Sequence, residues 1–496
     1  MSLATLLALL YLVLLGILAV FGLHRVWMVL RFRGLAGRPV APLAEEALPP
    51  VTVQLPLYDE RTVAARLIRA VGALDYPAAR LEIQVLDDSN DETCAIVDAE
   101  VAELVRRGLD ARVLRRPSRA GYKAGALAHG LRSARGELVA VFDADFTPRP
   151  GFLRELVPAF ADQRVGMVQA RWEHANRDES LLTRAQATLL DGHFVIEHTV
   201  RHQLGLFFNF NGTAGIWRRA AIDSGGGWQH DTLTEDLDLS YRAQLAGWRF
   251  VYAPHVTAPA EVPSELGAFR SQQHRWAKGS VQVARKLGGR IARAPVPLRV
   301  KLEAAAHLTS NCGYPFVALL ALLLPLVTTG GTSFGGAWHL AAFVVCTLSV
   351  VLFYARSQRA VGRSLVRRLV DVPAAMTLGV GMCLAQSRAV LSGVRRSTGE
   401  FVRTPKRGNA PPAARYKSRW SGAGWPELVF ALWFAWGIVQ AVRLGLWEAL
   451  PFLALFLAGF AWVGSSALRD RLRHRPRATT HQPADRGALL GEGLPG

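Results

Sequence analysis

Two kinds of apolar pattern divide the chain. Residues 2–23, 312–327, 338–354, 372–391, 428–444 and 450–468 are nearly continuous apolar runs, close to the roughly 20 residues a bilayer-crossing helix needs. Between about 51 and 290, apolar residues come instead in short runs separated by helically spaced ones. The short runs 51–57, 81–86, 112–114, 137–142, 165–170 and 248–252 predict strands. The segments 60–73, 92–107, 123–134, 151–161, 180–204, 235–245 and 265–287 predict helices. This alternation predicts an α/β sheet covered on both faces, with ligands bound beyond the carboxyl ends of its strands. Asp87-Asp88 and Asp143-Ala144-Asp145 both fall at that edge.

Charge places the apolar runs in a membrane. The chain holds 58 Lys and Arg against 39 Asp and Glu, a net charge of +19. The basic residues gather beside the apolar runs, at 24–38, 356–368, 395–419 and 469–477, as the positive-inside rule requires. That distribution argues against a nucleic-acid partner. Residues 2–23 lack the basic start and short core of a cleaved signal peptide, so they read as a retained helix with its N-terminus outside. The segment 372–391 contains Gln386 and Arg388. If it crossed the membrane, the basic loop 395–419 and the tail would lie outside. The expectation is therefore five spans plus an interfacial or re-entrant helix. The organisation reads as an N-terminal helix and basic flank (1–38), a cytoplasmic catalytic domain (39–290), a membrane region (291–468) and a basic, disordered tail (469–496). Cys94, Cys312, Cys346 and Cys383 are far apart and form no CxxC pair, which argues against a disulfide framework or zinc site.

Taken one at a time, the candidate chemical groups each have two readings. Asp143 and Asp145 suit either a turn or a hard divalent cation that neutralises a diphosphate. Thr234-Glu235-Asp236 suits either a helix cap or a general base. Lys123 and Arg275 are either solvated cations or donors to a departing diphosphate. Gln272, Arg275 and Trp276 share one face of a helix, either as part of a basic membrane-surface helix or as contacts for a sugar and an anionic leaving group. His193, Glu197, His198 and His202 on one helix read as a polar face rather than a metal cluster.

In order, the motifs do more. Leu55-Pro56-Leu57-Tyr58-Asp59-Glu60, Val85-Leu86-Asp87-Asp88-Ser89, Gly121-Tyr122-Lys123-Ala124-Gly125, Phe142-Asp143-Ala144-Asp145, Phe210-Asn211-Gly212-Thr213, Thr234-Glu235-Asp236 and Gln272-x-x-Arg275-Trp276 resemble the family 2 inverting glycosyltransferases. Within these, the chain is similar to the cellulose synthase superfamily, above all its glucomannan, mannan and glucan synthases and their bacterial relatives. The resemblance implies a GT-A-type, Rossmann-like α/β catalytic domain inserted among transmembrane helices of a multi-pass membrane protein. It implies transfer of a hexose from UDP-Glc or GDP-Man to a growing β-1,4-glycan, with Mg2+ or Mn2+ as cofactor, in a bacterial inner, plasma or Golgi-like membrane. The alternative product is a glycolipid made on an acceptor such as diacylglycerol, and the alternative outside enzymes is a transporter or non-catalytic membrane scaffold with a degenerate transferase domain, against which the intact set of carboxylates argues. The partners implied are the nucleotide sugar, a glycan or lipid acceptor and membrane lipids.

Residue by residue, the resemblance makes Asp236 the base, with Glu235 beside it and Asp145 at the reacting sugar. Tyr58, Glu60, Asp87 and Asp88 fall at the nucleoside, Lys123 beside the nucleotide, and Asp143 and Asp145 on the diphosphate and its metal. Phe210, Asn211, Gly212 and Thr213 line the acceptor end. Gln272, Arg275 and Trp276 contact the acceptor and diphosphate. Phe401-Val402-Arg403-Thr404-Pro405-Lys406 resembles a gating loop, with Thr404 and Lys406 as substrate contacts and Arg403 as the departure from its pattern.

Overall fold

The computed structural model describes residues 3–35, 41–330, 336–395, 408 and 424–473. Seven strands form one mixed sheet: β1 (Val51–Leu57), β2 (Leu81–Asp87), β3 (Asp110–Leu114), β4 (Leu138–Val141), β5 (Val165–His174), β6 (Gly215–Arg218) and β7 (Arg249–Ala260), in the order β3-β2-β1-β4-β6-β5-β7. All neighbours are parallel except β6, which runs antiparallel to both β4 and β5. Strands β1, β2 and β4 are buried on both faces, as in a helix-covered sheet. Strand β4 is apolar throughout, whereas polar residues of β1 and β2 pair with each other, Thr52 Oγ1 donating to Glu82 at 2.6 Å and Gln54 Nε2 to Gln84 at 3.0 Å. One cluster around Val53, Val85 and Ala140 and another around Val141, Trp217 and Tyr252 fill the two sides.

Strand β6 was not foreseen. Four residues at the end of the aromatic, glycine-containing stretch 207–217 carry too little periodicity to announce a strand. Its insertion reverses the sheet locally and delivers the loop before it, Phe210–Ala214, to the carboxyl edge. The helix expected over 60–73 is confined to Ala64–Val71. The strand expected over 248–252 runs on to Ala260. Glu235–Leu245 begins as predicted, but Thr234 does not cap it with its side chain. Among the described residues that hydroxyl makes no hydrogen bond, and it packs against Gly279, where a β-carbon would overlap it. Gly279 thus lets the helix Leu266–Arg293 lie directly on the Thr234-Glu235-Asp236 turn.

Among the described residues, four helical segments are long and apolar enough to cross a membrane: Thr5–Arg31, Leu298–Thr329, Trp425–Arg443 and Trp447–Arg471. The helix expected over 338–354 is present as Gly336–Ala360, although side chains of its first turns lie outside the described residues. It approaches the first helix closely at Gly22, where a β-carbon would sit 3.1 Å from Ser349 Oγ. Residues 372–391 form part of a helix pair, Leu365–Gly381 and Cys383–Val394, bent by 52°. By geometry this pair is either a broken span, which would make a fifth, or a re-entrant loop. Buried polar contacts fasten the sheet domain to these helices: Arg201 Nε to Glu303 at 2.9 Å, Arg270 to Glu427 at 3.0 Å and Gln358 Nε2 to Asp191 at 2.8 Å.

Candidate active site

The carboxyl edge of β1, β2 and β4 carries the chemistry. Tyr58 follows β1, Asp87 closes β2, and Asp143 and Asp145 follow β4. The Asp143 amide donates to Thr213 Oγ1 at 2.9 Å. Its carboxylate is ion-paired to Lys123, whose Nζ also donates to the Gly212 carbonyl at 2.8 Å. Asp143 and Asp145 are hard oxygen donors on one turn, and among the described residues no third His, Cys, Asp or Glu completes a metal cluster with them. This donor set fits Mg2+ or Mn2+, which bind through one or two carboxylates and take other ligands from substrate phosphates and water.

Across from this turn stands Asp236, at the start of the helix Glu235–Leu245. Its Oδ1 accepts from the Leu237 amide at 2.8 Å. Burial, then the Glu235 carboxylate beside it, pushes its pKa up to about 7. Burial likewise raises Glu235. For Lys123, burial opposes the charge, but Asp143, Glu235 and Asp236 overcome it and the pKa rises. Burial lowers Arg275, against the pull of the same three carboxylates. The site is thus a cluster of opposite charges half-buried in a cavity wall, where each electrostatic interaction is stronger than at the open surface.

The loop between these groups is built under backbone strain. Gly212 has φ +81° and Ala214 φ +53°. Asp59 and Tyr122, at φ +52° and +49°, are the other non-glycine residues with positive φ among the described residues, and both sit beside the same edge. Such conformations persist only where surrounding contacts fix them. Here Gln169 of β5 does so: its side chain accepts from the Asn211 amide at 3.0 Å and donates to the Thr213 and Ala214 carbonyls at 3.1 and 3.0 Å. Ser240 joins the loop to the base, donating to the Asp236 carbonyl and accepting from the Phe210 amide at 2.9 Å.

One cavity of about 670 Å³ unites Tyr58, Glu60, Asp88, Lys123, Asp143, Asp145, Asn211, Gly212, Glu235, Asp236, Gln272, Arg275 and Trp276. It continues among the apolar helices to Leu15, Tyr314, Val350 and Phe456. The remaining expected residues stand behind it. Asp87 is buried and held by Arg115 Nε at 2.9 Å. Phe210 is buried edge-on against Trp217. Thr213 positions Asp143. Thr404 and Lys406 lie outside the described residues.

Several functional contacts carried no sequence signal. Arg116 grips Asp88 and bonds the Ala120 and Tyr122 carbonyls at 2.8 and 3.1 Å, tying the β2 edge to the turn that launches Lys123. Arg119 lies over the Tyr58 ring, 3.3 Å from its centroid. The histidine-bearing helix contains a π stretch, Gly192–Glu197. That insertion brings His193 onto the face of His198, ring centroids 4.3 Å apart. His193 Nε2 lies 3.0 Å from Asn211 Oδ1, and Asn211 Nδ2 donates to His198 Nε2 at 2.8 Å. These side chains form an interior polar network, and burial keeps His198 well below the usual histidine range.

Residues 49–279 match the family described as Glycosyltransferase like family 2. The chain is 42% identical over 301 residues to glucomannan 4-beta-mannosyltransferase 2 of Arabidopsis thaliana, covering 58% of this chain and 56% of that protein. It is 44% identical over 256 residues to glucomannan 4-beta-mannosyltransferase 1 of Oryza sativa subsp. japonica, covering 51% and 49%. The chain thus spans about half the length of these curated relatives. A mannosyltransferase from Pyrobaculum calidifontis, solved in complex with GDP-Man and Mn2+, aligns with a TM-score of 0.55 at 23% identity, over 78% of this chain and 99% of that one. That likeness shows the GT-A fold.

Proposed function

We propose that this chain, whose residues 49–279 match the family described as Glycosyltransferase like family 2, transfers a hexose, with inversion, from a nucleoside diphosphate sugar to the end of a β-1,4-linked glycan. The names of the plant relatives favour mannose as that hexose. One arrangement carries the reading: the half-buried carboxylate Asp236, its pKa raised to about 7 by desolvation and Glu235, shares a cavity with Asp143, Lys123, Arg275 and Trp276. A base of that pKa is half-ionised at neutral pH and strong enough to take a proton from an attacking hydroxyl.

Asp236 removes the proton from the acceptor hydroxyl as that oxygen bonds to the anomeric carbon. The bond from that carbon to the diphosphate breaks on the opposite face, and its electron pair leaves with the nucleoside diphosphate. Lys123 and Arg275 donate charge-assisted hydrogen bonds to the departing phosphates. A divalent cation held by Asp143 and Asp145 would neutralise the same charge. Trp276 offers a flat apolar face to a sugar ring. The extension of the cavity toward Tyr314 and Phe456 gives the acceptor a route between the membrane helices, with the sheet domain on the cytoplasmic side.

The test is incubation of the purified chain with labelled GDP-mannose or UDP-glucose and a β-1,4-oligosaccharide. A product digested by endo-β-mannanase or β-glucanase supports the reading and names the sugar. A chloroform-soluble product instead would show glycolipid synthesis, and no transfer from any donor would overturn the reading.

A further inference from the structure

Three arginines lie close together after β3, and they are held differently. Arg115 is ion-paired with Asp87 and Asp98. Arg116 is paired with Asp88 and bonded to two carbonyls. Arg119 lines the cavity beside Tyr58 and Asp88; among the described residues its guanidinium makes no hydrogen bond, lying 3.3 Å from the Tyr58 and 5.1 Å from the Tyr122 ring centroid, with the Asp88 and Asp59 carboxylates near enough to favour its charge. It is half-buried, and burial lowers its pKa. A guanidinium stacked on an aromatic face keeps its in-plane N–H donors free and fixed in direction. Unmet donors on a desolvated cation cost free energy until a ligand supplies acceptors. Its carbonyl is also anchored, accepting from the Tyr122 amide at 3.0 Å, so the turn that carries it is tied to the turn that launches Lys123.

Resting on the proposed function, and on Tyr58, Asp88 and Arg119 lining the same cavity as the Asp143 and Lys123 assigned to the diphosphate, we propose that Arg119 reads the base of the donor nucleoside and selects guanine over uracil. A guanidinium fork presents two parallel donors. Guanine offers the matching pair of adjacent acceptors, O6 and N7, which arginine bonds bidentately. Uracil has its N3–H between O2 and O4, so a fork that meets either oxygen on that edge sets a donor against a donor. A bidentate arginine–guanine pair also ranks among the stronger discriminating contacts a single side chain makes. The cation–π contact with Tyr58 holds the fork in place before the nucleotide arrives, so little conformational freedom is lost on binding.

The experiment measures binding of GDP and of UDP, each with Mn2+, to the purified full chain and to its Arg119→Lys and Arg119→Ala variants, by calorimetry. The expected result is GDP preferred by the unaltered chain, with both variants weakening GDP by roughly ten- to a hundredfold and UDP by no more than about threefold. The lysine variant keeps the charge and loses the fork, so retained GDP preference in it overturns the proposal. Equal weakening of both nucleotides assigns Arg119 to the diphosphate and also overturns it, as does tighter binding of UDP by the unaltered chain. Unchanged elution and thermal midpoint establish that the variants fold. Transfer from GDP-mannose without base discrimination at Arg119 would sink this assignment alone; absence of transfer from any donor would sink the proposed function instead.

Discussion

Gly212 and Asp236 face each other so closely that a β-carbon at Gly212 would lie 3.0 Å from Asp236 Oδ2 and 3.4 Å from Lys123 Nζ. The loop carbonyl that receives Lys123 and the carboxylate assigned as base are therefore built against the same glycine. A methyl group there would enter the space between base and cation, and φ +81° disfavours any residue with a β-carbon. Gly212→Ala should lower kcat at least tenfold, with a stability loss of about 1–2 kcal/mol from the left-handed backbone. Steady-state kinetics alongside thermal unfolding checks this. Full activity in a destabilised variant would show that the contact does not shape the site.

The raised pKa of Asp236 gives the reaction a pH signature. The base acts in its ionised form, and its folded pKa is shifted upward to about 7 by burial and Glu235. Activity should therefore climb with pH, with unit slope on a logarithmic plot below about 7, and level off above. Asp236→Asn removes the base and with it the climb, with kcat reduced by roughly a thousandfold or more. Because ionised Asp236 is the disfavoured form in the folded chain, the asparagine variant should unfold at a temperature equal to or above that of the unaltered chain at pH 8. A pH–rate profile with its midpoint near the ordinary carboxylate range would contradict the assignment.

Much of this site could be read before the fold was known, for definite reasons. Strand β4 is a continuous apolar run, β1 and β2 alternate apolar with polar residues, and the acids that follow these strands fall at the ligand edge of a parallel sheet. What stayed hidden depends on long-range packing. Gln169 sits inside β5, and only the fold shows that its amide clamps the Asn211–Ala214 backbone. Arg119 is one arginine among several in a polar loop, and its stacking on Tyr58 joins segments about sixty residues apart. His193 and His198 are five apart, a spacing that α-helical turns do not bring into line. The π stretch widens the turn and places His193 with His198. Thr234 read as a helix cap from its type alone, whereas contact with Gly279 commits its side chain to packing.

Metal dependence follows from the donor set. Asp143 and Asp145 provide two carboxylates and no third protein ligand among the described residues, so a cation there relies on the nucleotide for part of its shell. Chelation with EDTA should abolish transfer, and Mn2+ or Mg2+ should restore it. Asp145→Asn should raise the Mn2+ concentration for half-maximal activity at least tenfold, by loss of one charged ligand. Activity that survives exhaustive chelation would remove the cation from the proposed reaction.

One of the buried polar contacts between the sheet domain and the apolar helices runs through Arg201, whose side chain is 1% exposed. It bonds Glu197 at 3.0 Å and Glu303 at 2.9 Å, and Glu303 in turn meets His24 of the first helix at 2.8 Å. Arg201→Met leaves two carboxylates facing each other with less than their former compensation, and removing one partner from a buried ion pair costs about 3–5 kcal/mol. Glu303→Gln should be milder. Its amide oxygen still accepts from Arg201, its NH2 can donate to His24, and Glu197 continues to balance the guanidinium. The two variants should therefore separate clearly in thermal unfolding in detergent, with Arg201→Met lower. An Arg201→Met midpoint equal to that of the unaltered chain would mean that this buried chain of charges does not help to hold the catalytic domain to the bundle.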